Sequence, residues 1–157
     1  MDKLDLVTQL VRQLQASARA ALAARDATTD EAREGATPDE KREDARAAHQ
    51  QGTLGKAQQR RAQQALAEVD AVAQWKPAAM SKVAVGAIVE IEDTENGEGR
   101  TLFVAPVGAG ITLTGPGGDG ILSVITPASP VGAAVLGKKL GDTVEIAERE
   151  WQISYVA

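Results

Sequence analysis

Cysteine is missing from this chain. Disulfide scaffolds and thiolate metal sites are thereby excluded, and the absence fits a reducing, cytoplasmic setting. Histidine occurs once, at His49. With no cysteine and no second histidine, it reads as a solvent-facing helix residue, not a ligand. Ser123, Ser129 and Ser154 therefore lack a histidine base, which rules out a serine triad. Aromatic residues are scarce: Trp75, Phe103, Trp151 and Tyr155 are all of them. A core must rest on Val, Ile, Leu and Ala. No apolar run approaches the roughly 20 residues that cross a bilayer. Met1-Asp2-Lys3-Leu4-Asp5 lacks the basic patch and apolar run of a signal peptide. Positive charge is in deficit, with a formal net charge of −5 and a pI near 4.9. That balance argues against a free-standing nucleic-acid-binding protein, which would normally be basic.

What is present divides into two grammars. Residues 1 to about 75 hold much Ala, Gln, Arg and Glu and no β-rich run. From about residue 81 the chain is rich in Gly, Val, Ile and Thr, with apolar residues at every second position. The change falls at Trp75–Met80, where Pro77 should end a helix. Two domains are expected, 1–76 and 81–157, within a length of 157 residues that suits two small ones.

The first half reads as helix. Leu4, Val7, Val11, Leu14, Ala18 and Ala21 recur at spacings of three and four, the pattern of a coiled-coil seam. Ala62, Leu66, Val69 and Ala73 repeat it further on. Thr28-Thr29, Gly35 and Pro38 interrupt the two series, which predicts an antiparallel helical hairpin. Pro38-Asp39 would be its turn. Thr37 and Glu40 stand in capping-box spacing for the second helix. Gly52 and Gly55 are poor helix residues and leave open a kink or break in the returning helix. From Ala23 to Thr53 there is no Leu, Ile, Val, Met or aromatic residue. The distal half of the hairpin cannot bury a core, so it must project into solvent or into a partner. An arm of some 35 residues would reach on the order of 50 Å.

Charge is unevenly spread along this arm. Eight acids fall between Asp26 and Asp44, against Arg33, Lys41 and Arg42 alone. From Ala45 to Ala67 there is no acid, while Arg46, Lys56, Arg60 and Arg61 follow one another. The tip is acidic and the shaft basic. Carboxylate oxygens suit Mg²⁺, and a two-metal phosphoryl-transfer site needs anionic ligands for its second ion. Asp39 and Glu40, at the apex, are the best-placed metal ligands. Glu43, one turn on, could orient water, and Asp44 adds a fourth carboxylate. The plain alternative is that these acids favour the positive N-terminus of the second helix and keep the turn soluble.

The second half reads as strands near Ala87–Glu92, Thr101–Val107, Ile121–Thr126, Thr143–Ala147 and Trp151–Val156. Asn96-Gly97 and Gly115–Gly120 are turns. The glycine-rich stretch is not a phosphate loop, because no Lys-Ser/Thr follows it. The last two strands form a hairpin through Glu148-Arg149-Glu150. Between strands lies Ser129–Ile146, S-P-V-G-A-A-V-L-G-K-K-L-G-D-T-V-E-I, a short helix with both ends written in. Ser129 can cap it, Pro130 suits its first turn, and Gly137 can supply the left-handed residue that stops it. Lys138 and Lys139 sit near the negative end of its dipole. Gly141-Asp142 turns the chain into the next strand.

That segment closely resembles the C-terminal signature of the bacterial GreA/GreB transcript-cleavage factors, "SP-x-G-x-A-(L/V)-LGK-x-x-GD-x-V-x-(V/I)". Glu31-Ala32-Arg33-Glu34-Gly35 resembles the family's "EARE-x-G" approach to the arm tip. The family then usually reads "D-L-S-E-N-A-E-Y". Here the chain has Ala36-Thr37-Pro38-Asp39-Glu40-Lys41-Arg42-Glu43, so that Glu40 takes the place of the family's Glu and Thr37 that of its Asp.

The resemblance implies an α+β protein, with an N-terminal coiled-coil hairpin followed by a small FKBP-like β-domain with one short helix. It implies a monomeric, cytoplasmic factor that is not an enzyme by itself. Its partner would be bacterial RNA polymerase, docked by the second domain, with the arm in the secondary channel and nascent RNA met only indirectly. No membrane is involved. Asp39, Glu40, Glu43 and Asp44 would act on the polymerase's Mg²⁺, with no cofactor of the factor's own. The outcome would be cleavage of backtracked RNA, or, as in some relatives, inhibition without cleavage. A coiled-coil adaptor unrelated to polymerase is a third reading. Prolyl isomerase activity, which the FKBP-like fold raises, needs an aromatic-lined pocket that these few aromatics cannot build.

Overall fold

The computed structural model describes residues 2–34, 44–115 and 118–157; side chains of 29–34 and 44–51 lie outside that description. The aliphatic spacings of the first half give two long helices, α1 (Lys3–Glu34) and α2 (Asp44–Ala73). Asp2 caps α1 by accepting from the Leu4 N–H at 3.0 Å, which satisfies one of the orphan donors of its first turn. α2 runs unbroken through Gly52 and Gly55. A Cβ at either glycine would meet nothing within 4 Å, so crowding does not explain them. Each weakens the helix by about 1 kcal/mol relative to Ala.

Two compact units result, Leu14–Asp70 and the remainder, 1–13 with 71–157. In the helical unit Leu14, Ala18 and Ala62 are buried. Along α2 the less exposed line is Gly55, Gln58, Ala62, Ala65 and Val69, at alternating steps of three and four. The seam expected through Leu66 and Ala73 is thus corrected. Leu66 is 44% exposed and Val72, not Ala73, is fully buried. Steps of three and four both met an apolar residue there, so the pattern alone could not choose. In α1 Leu4 is exposed, while Leu6 and Leu10 are buried beside Val7.

The other unit is built on one six-stranded mixed sheet. Its strands are β1 (Ile88–Asp93), β2 (Gly99–Val104), β3 (Thr112–Thr114), β4 (Ile121–Ile125), β5 (Thr143–Ile146) and β6 (Arg149–Val156). The order is β3-β4-β2-β1-β6-β5. β2 and β4 run parallel and every other pair is antiparallel. One short helix, α3 (Pro130–Val135), links β4 to β5. Val89, Ile91, Leu102, Val104, Val144, Trp151 and Ile153 form a core with Val135 of α3. Alternation sends the intervening Phe103 to the opposite face, where Ile88 and Val124 are its neighbours in register. Trp75 lies tilted on Phe103 at 5.6 Å between centroids.

The start of α1 is fastened to the edge of this sheet. The Gln9 amide donates to the Thr114 carbonyl and accepts from the Thr114 N–H, both at 2.9 Å. Gln13 donates to the Thr112 carbonyl at 2.7 Å. Two side chains therefore pair an edge strand as a neighbouring strand would, the kind of cover that open sheet edges require. The buried Lys3 reaches the Ala78 carbonyl, and burial pushes its ammonium pKa below the usual lysine value.

Two expectations are corrected here. β3 is a sixth strand beyond the five expected: Gly108, Gly110 and Gly115 surround its three residues, and pairing with β4 makes it a strand. The last hairpin turns at Ala147-Glu148, while Arg149 and Glu150 belong to β6. Both turn residues have positive φ, 51° and 62°. Such a turn matches strand twist but normally takes Asn and Gly, so the sequence carried no turn signal there.

The α3 segment is held as its residues suggest. Ser129 accepts from the Gly132 N–H at 3.1 Å and donates to the Thr126 carbonyl at 2.8 Å. Gly137 has φ 81°, the left-handed geometry that ends helices. Gly132 is required for a different reason: a Cβ there would lie 1.9 Å from the Thr126 carbonyl oxygen.

Two outcomes follow for urea denaturation. Gly132→Ala should cost about 3 kcal/mol through overpacking against backbone, and Ser129→Ala about 1 kcal/mol through loss of the cap. Equal small effects would show that α3 shifts freely. Gln9→Ala should speed hydrogen exchange at the Thr114 amide selectively, as NMR would read; unchanged protection would mean that Gln9 contributes nothing there.

Candidate functional site

Three of the four acids singled out at the tip, Asp39, Glu40 and Glu43, fall outside the described residues, as do Thr37 and the Pro38-Asp39 turn. Asp44 opens α2, and its side chain is likewise outside. What the structure places is the frame. α1 ends at Glu34 and α2 begins at Asp44, so residues 35–43 join the two long helices. The start of α2 carries the positive end of its dipole. Of the four carboxylates between 39 and 44, Asp44 opens α2 and the other three precede it in sequence. Further along α2, Lys56, Arg60 and Arg61 are exposed, in keeping with a basic shaft.

As a donor set, Asp39 and Glu40 offer hard carboxylate oxygens, which fit Mg²⁺. Among the described residues no three acids or histidines stand together as a metal site. His49 falls within α2, its side chain outside the described set.

The sheet domain carries buried polar structure that sequence reasoning passed over. Asp93 is almost fully buried at the end of β1. One carboxylate oxygen accepts from the Glu95 N–H at 2.8 Å and the Asn96 N–H at 3.4 Å. The other meets the Arg149 guanidinium at 3.5 Å. Asp93 thereby fixes the Asn96-Gly97 turn, where Gly97 has φ 73°. The signal was available: Asp two residues before a turn amide is the Asx pattern. Nearby, Arg100 stacks over the Trp151 ring at 4.7 Å from its centroid and pairs with Glu98 at 3.3 Å. These contacts are structural, since each partner is occupied by another protein group.

The aromatic residues are divided between different parts of the sheet domain. Trp151 belongs to the core beneath α3, whereas Phe103 is buried on the other face against Trp75. Tyr155 is half-buried on β6. In the Gly115–Gly120 turn, Gly115 N–H donates to the Gly120 carbonyl and Gly118 N–H to the Gly115 carbonyl.

Comparison with known proteins bears directly on the Ser129–Ile146 segment. A family model described as transcription elongation factor, GreA/GreB, C-terminal, matches residues 77–156. Curated protein sequences give no match. Among solved structures, the chain is similar to GreA factor homolog 1 (Gfh1) of Thermus thermophilus, at 18% identity and a TM-score of 0.39, covering 98% of this chain and 93% of that one. Gfh1 of Thermus aquaticus is similar at 18% identity and a TM-score of 0.36, with 95% and 92% covered. A GreA/GreB elongation factor of Nitrosomonas europaea is similar at 20% identity and a TM-score of 0.37, with 57% and 74% covered. The family match takes in every strand of the sheet, α3 with its cap and stop, and just over half of the chain. By that match this chain belongs to the GreA/GreB family of transcription elongation factors.

Proposed function

We propose that the protein binds bacterial RNA polymerase through its C-terminal sheet domain and places the 35–44 tip of its helix pair in the secondary channel. There it modulates elongation, working as a monomer in the cytoplasm and meeting nascent RNA only at the polymerase active centre. The observation that carries this reading is the GreA/GreB match over 77–156, joined in one chain to two long helices. Their far halves lack the apolar residues to pack by themselves. The domains as proposed are 1–76 for the arm and 81–157 for docking.

In this reading Asp39 and Glu40 present carboxylate oxygen to Mg²⁺ held by the polymerase. That ion supplies Lewis-acid chemistry on phosphoryl oxygen. Glu43 orients the attacking water, and Asp44 keeps the local potential negative. The protein contributes positioned charge and the polymerase contributes the reaction. A second reading is favoured by Thr37, which stands where the family has Asp: a factor that occupies the channel and restrains polymerase without cleavage.

Purified polymerase stalled in a backtracked complex separates the two. On the first reading, adding the protein shortens the RNA. Asp39→Asn with Glu40→Gln should then slow cleavage by about a hundredfold, the scale of losing a preorganised charge at a reacting centre, with binding unchanged. Binding without shortening, together with competition against an authentic Gre factor, would establish the second. On that second reading, Thr37→Asp should bring cleavage measurably above the wild type. Absence of binding to core polymerase would overturn both.

A further inference from the structure

The sheet domain, residues 77–157, has ten acidic and five basic residues. Its two arginines are already spent, Arg100 on Glu98 and Arg149 on Asp93. The three lysines, Lys82, Lys138 and Lys139, are in no ion pair among the described residues. They also lie together. Lys82 and Lys139 face each other in an isolated antiparallel bridge. Val83 donates to the Lys138 carbonyl at 2.8 Å, and Gly137 donates to the Val83 carbonyl at 2.8 Å. The Lys82 chain passes within 3.7 Å of where a Gly137 Cβ would be.

Two large aliphatic side chains flank this bridge in the open. Leu136, the last residue of the α3 cap, is 41% exposed, and Leu140 is 65% exposed. Asp142, next along the chain, accepts from the Lys139 backbone N–H at 2.9 Å. Lys139 and Leu140 also occupy two adjacent positions that the GreA/GreB signature leaves open, so that pattern does not account for either. Exposed apolar side chains grouped and rimmed by polar residues are the surface pattern that marks an interaction site.

We infer that Lys82, Leu136, Lys138, Lys139 and Leu140 form the docking contact of the sheet domain, and that they receive a protein surface in which carboxylates surround an apolar side chain. The pairing of an apolar centre with a charged rim is the ordinary anatomy of a protein interface. Nucleic acid is the poorer fit. A phosphate backbone cannot bury two leucines, and a domain with twice as many acids as bases repels a polyanion. This inference rests on the proposed binding to RNA polymerase and names the surface that performs it.

Fluorescence-anisotropy titration of the labelled full-length protein with core polymerase tests it. Leu140→Gln should weaken binding about tenfold. Lys138→Glu with Lys139→Glu should weaken it as much and flatten its salt dependence, as expected of rim charges. Ile121→Gln is the control, because Ile121 is 70% exposed on β4, outside the patch; it should bind as the wild type does. Circular dichroism melts of every variant should match the wild type. Normal binding by both patch variants overturns this surface and leaves polymerase binding standing. A wild type that does not bind overturns both. Binding of single-stranded RNA that the lysine variant loses and Leu140→Gln keeps would overturn the protein partner in favour of nucleic acid.

Discussion

Everything in the first half of this protein depends on where apolar side chains stop. Between Leu22 and Leu54 no large aliphatic or aromatic residue occurs. Isolated helices gain most of their stability from burial of an apolar face, with propensity a lesser term. The far turns of α1 and α2 must therefore draw their order from the near ones. Leu14, Ala18 and Ala62 are buried in the helical unit, and Leu6, Leu10 and Val72 in the sheet unit. The anchoring is consequently dense at one end of each helix. Leu6, Leu10 and Val72 supply the apolar area, and Gln9 and Gln13 supply direction by pairing with an edge strand. Apolar burial is non-directional, whereas an amide matched to one backbone N–H and one carbonyl admits a single register.

The sheet domain was largely legible because its residues have separate physical reasons to be where they are. Ser129, Pro130, Gly132 and Gly137 illustrate this. One caps, one tolerates a missing N–H, one makes room for a carbonyl, and one takes a left-handed φ. Four independent constraints within nine residues give a signature that can be read without a structure. Where the chain lacked such a residue, reading failed. Ala147-Glu148 makes a turn that neither residue favours, at a cost of about 1–2 kcal/mol each. The pairing of β5 with β6 holds it in place. β3 is likewise made by its partner. Thr-Leu-Thr between glycines has no strand length of its own, yet β4 on one side and Gln9 and Gln13 of α1 on the other complete its hydrogen bonds. These are tertiary facts, and local sequence cannot hold them.

The helical seam failed for a subtler reason. Leu66 and Ala65, and likewise Ala73 and Val72, are adjacent apolar residues, so two registers satisfy the same spacing rule. Hydrophobic periodicity fixes that a helix has an inward face but not which of two neighbouring lines forms it. Val72 is chosen over Ala73 because the larger side chain gains more on burial. Leu66 is left outside because the line from Gly55 through Ala62 continues to Ala65.

The same distribution of constraint explains why the family is plain while the chemistry is open. Residues that pack answer to volume and to carbonyl positions less than 2 Å from a would-be methyl, as at Gly132. A change there is felt by the whole domain. The acids from Asp39 to Asp44 lie in a stretch with no apolar residue to place. Substitutions among polar residues away from a core usually move stability by no more than about 0.5 kcal/mol. Thr37 in place of Asp removes a negative charge where the proposed chemistry would use one. Fold and activity are thus under different physical control in one chain. The sheet domain can keep the architecture of a transcription elongation factor while the tip carries a hydroxyl at Thr37 in place of a charge, and on the proposed reading that exchange is felt only by a partner that brings its own metal ion.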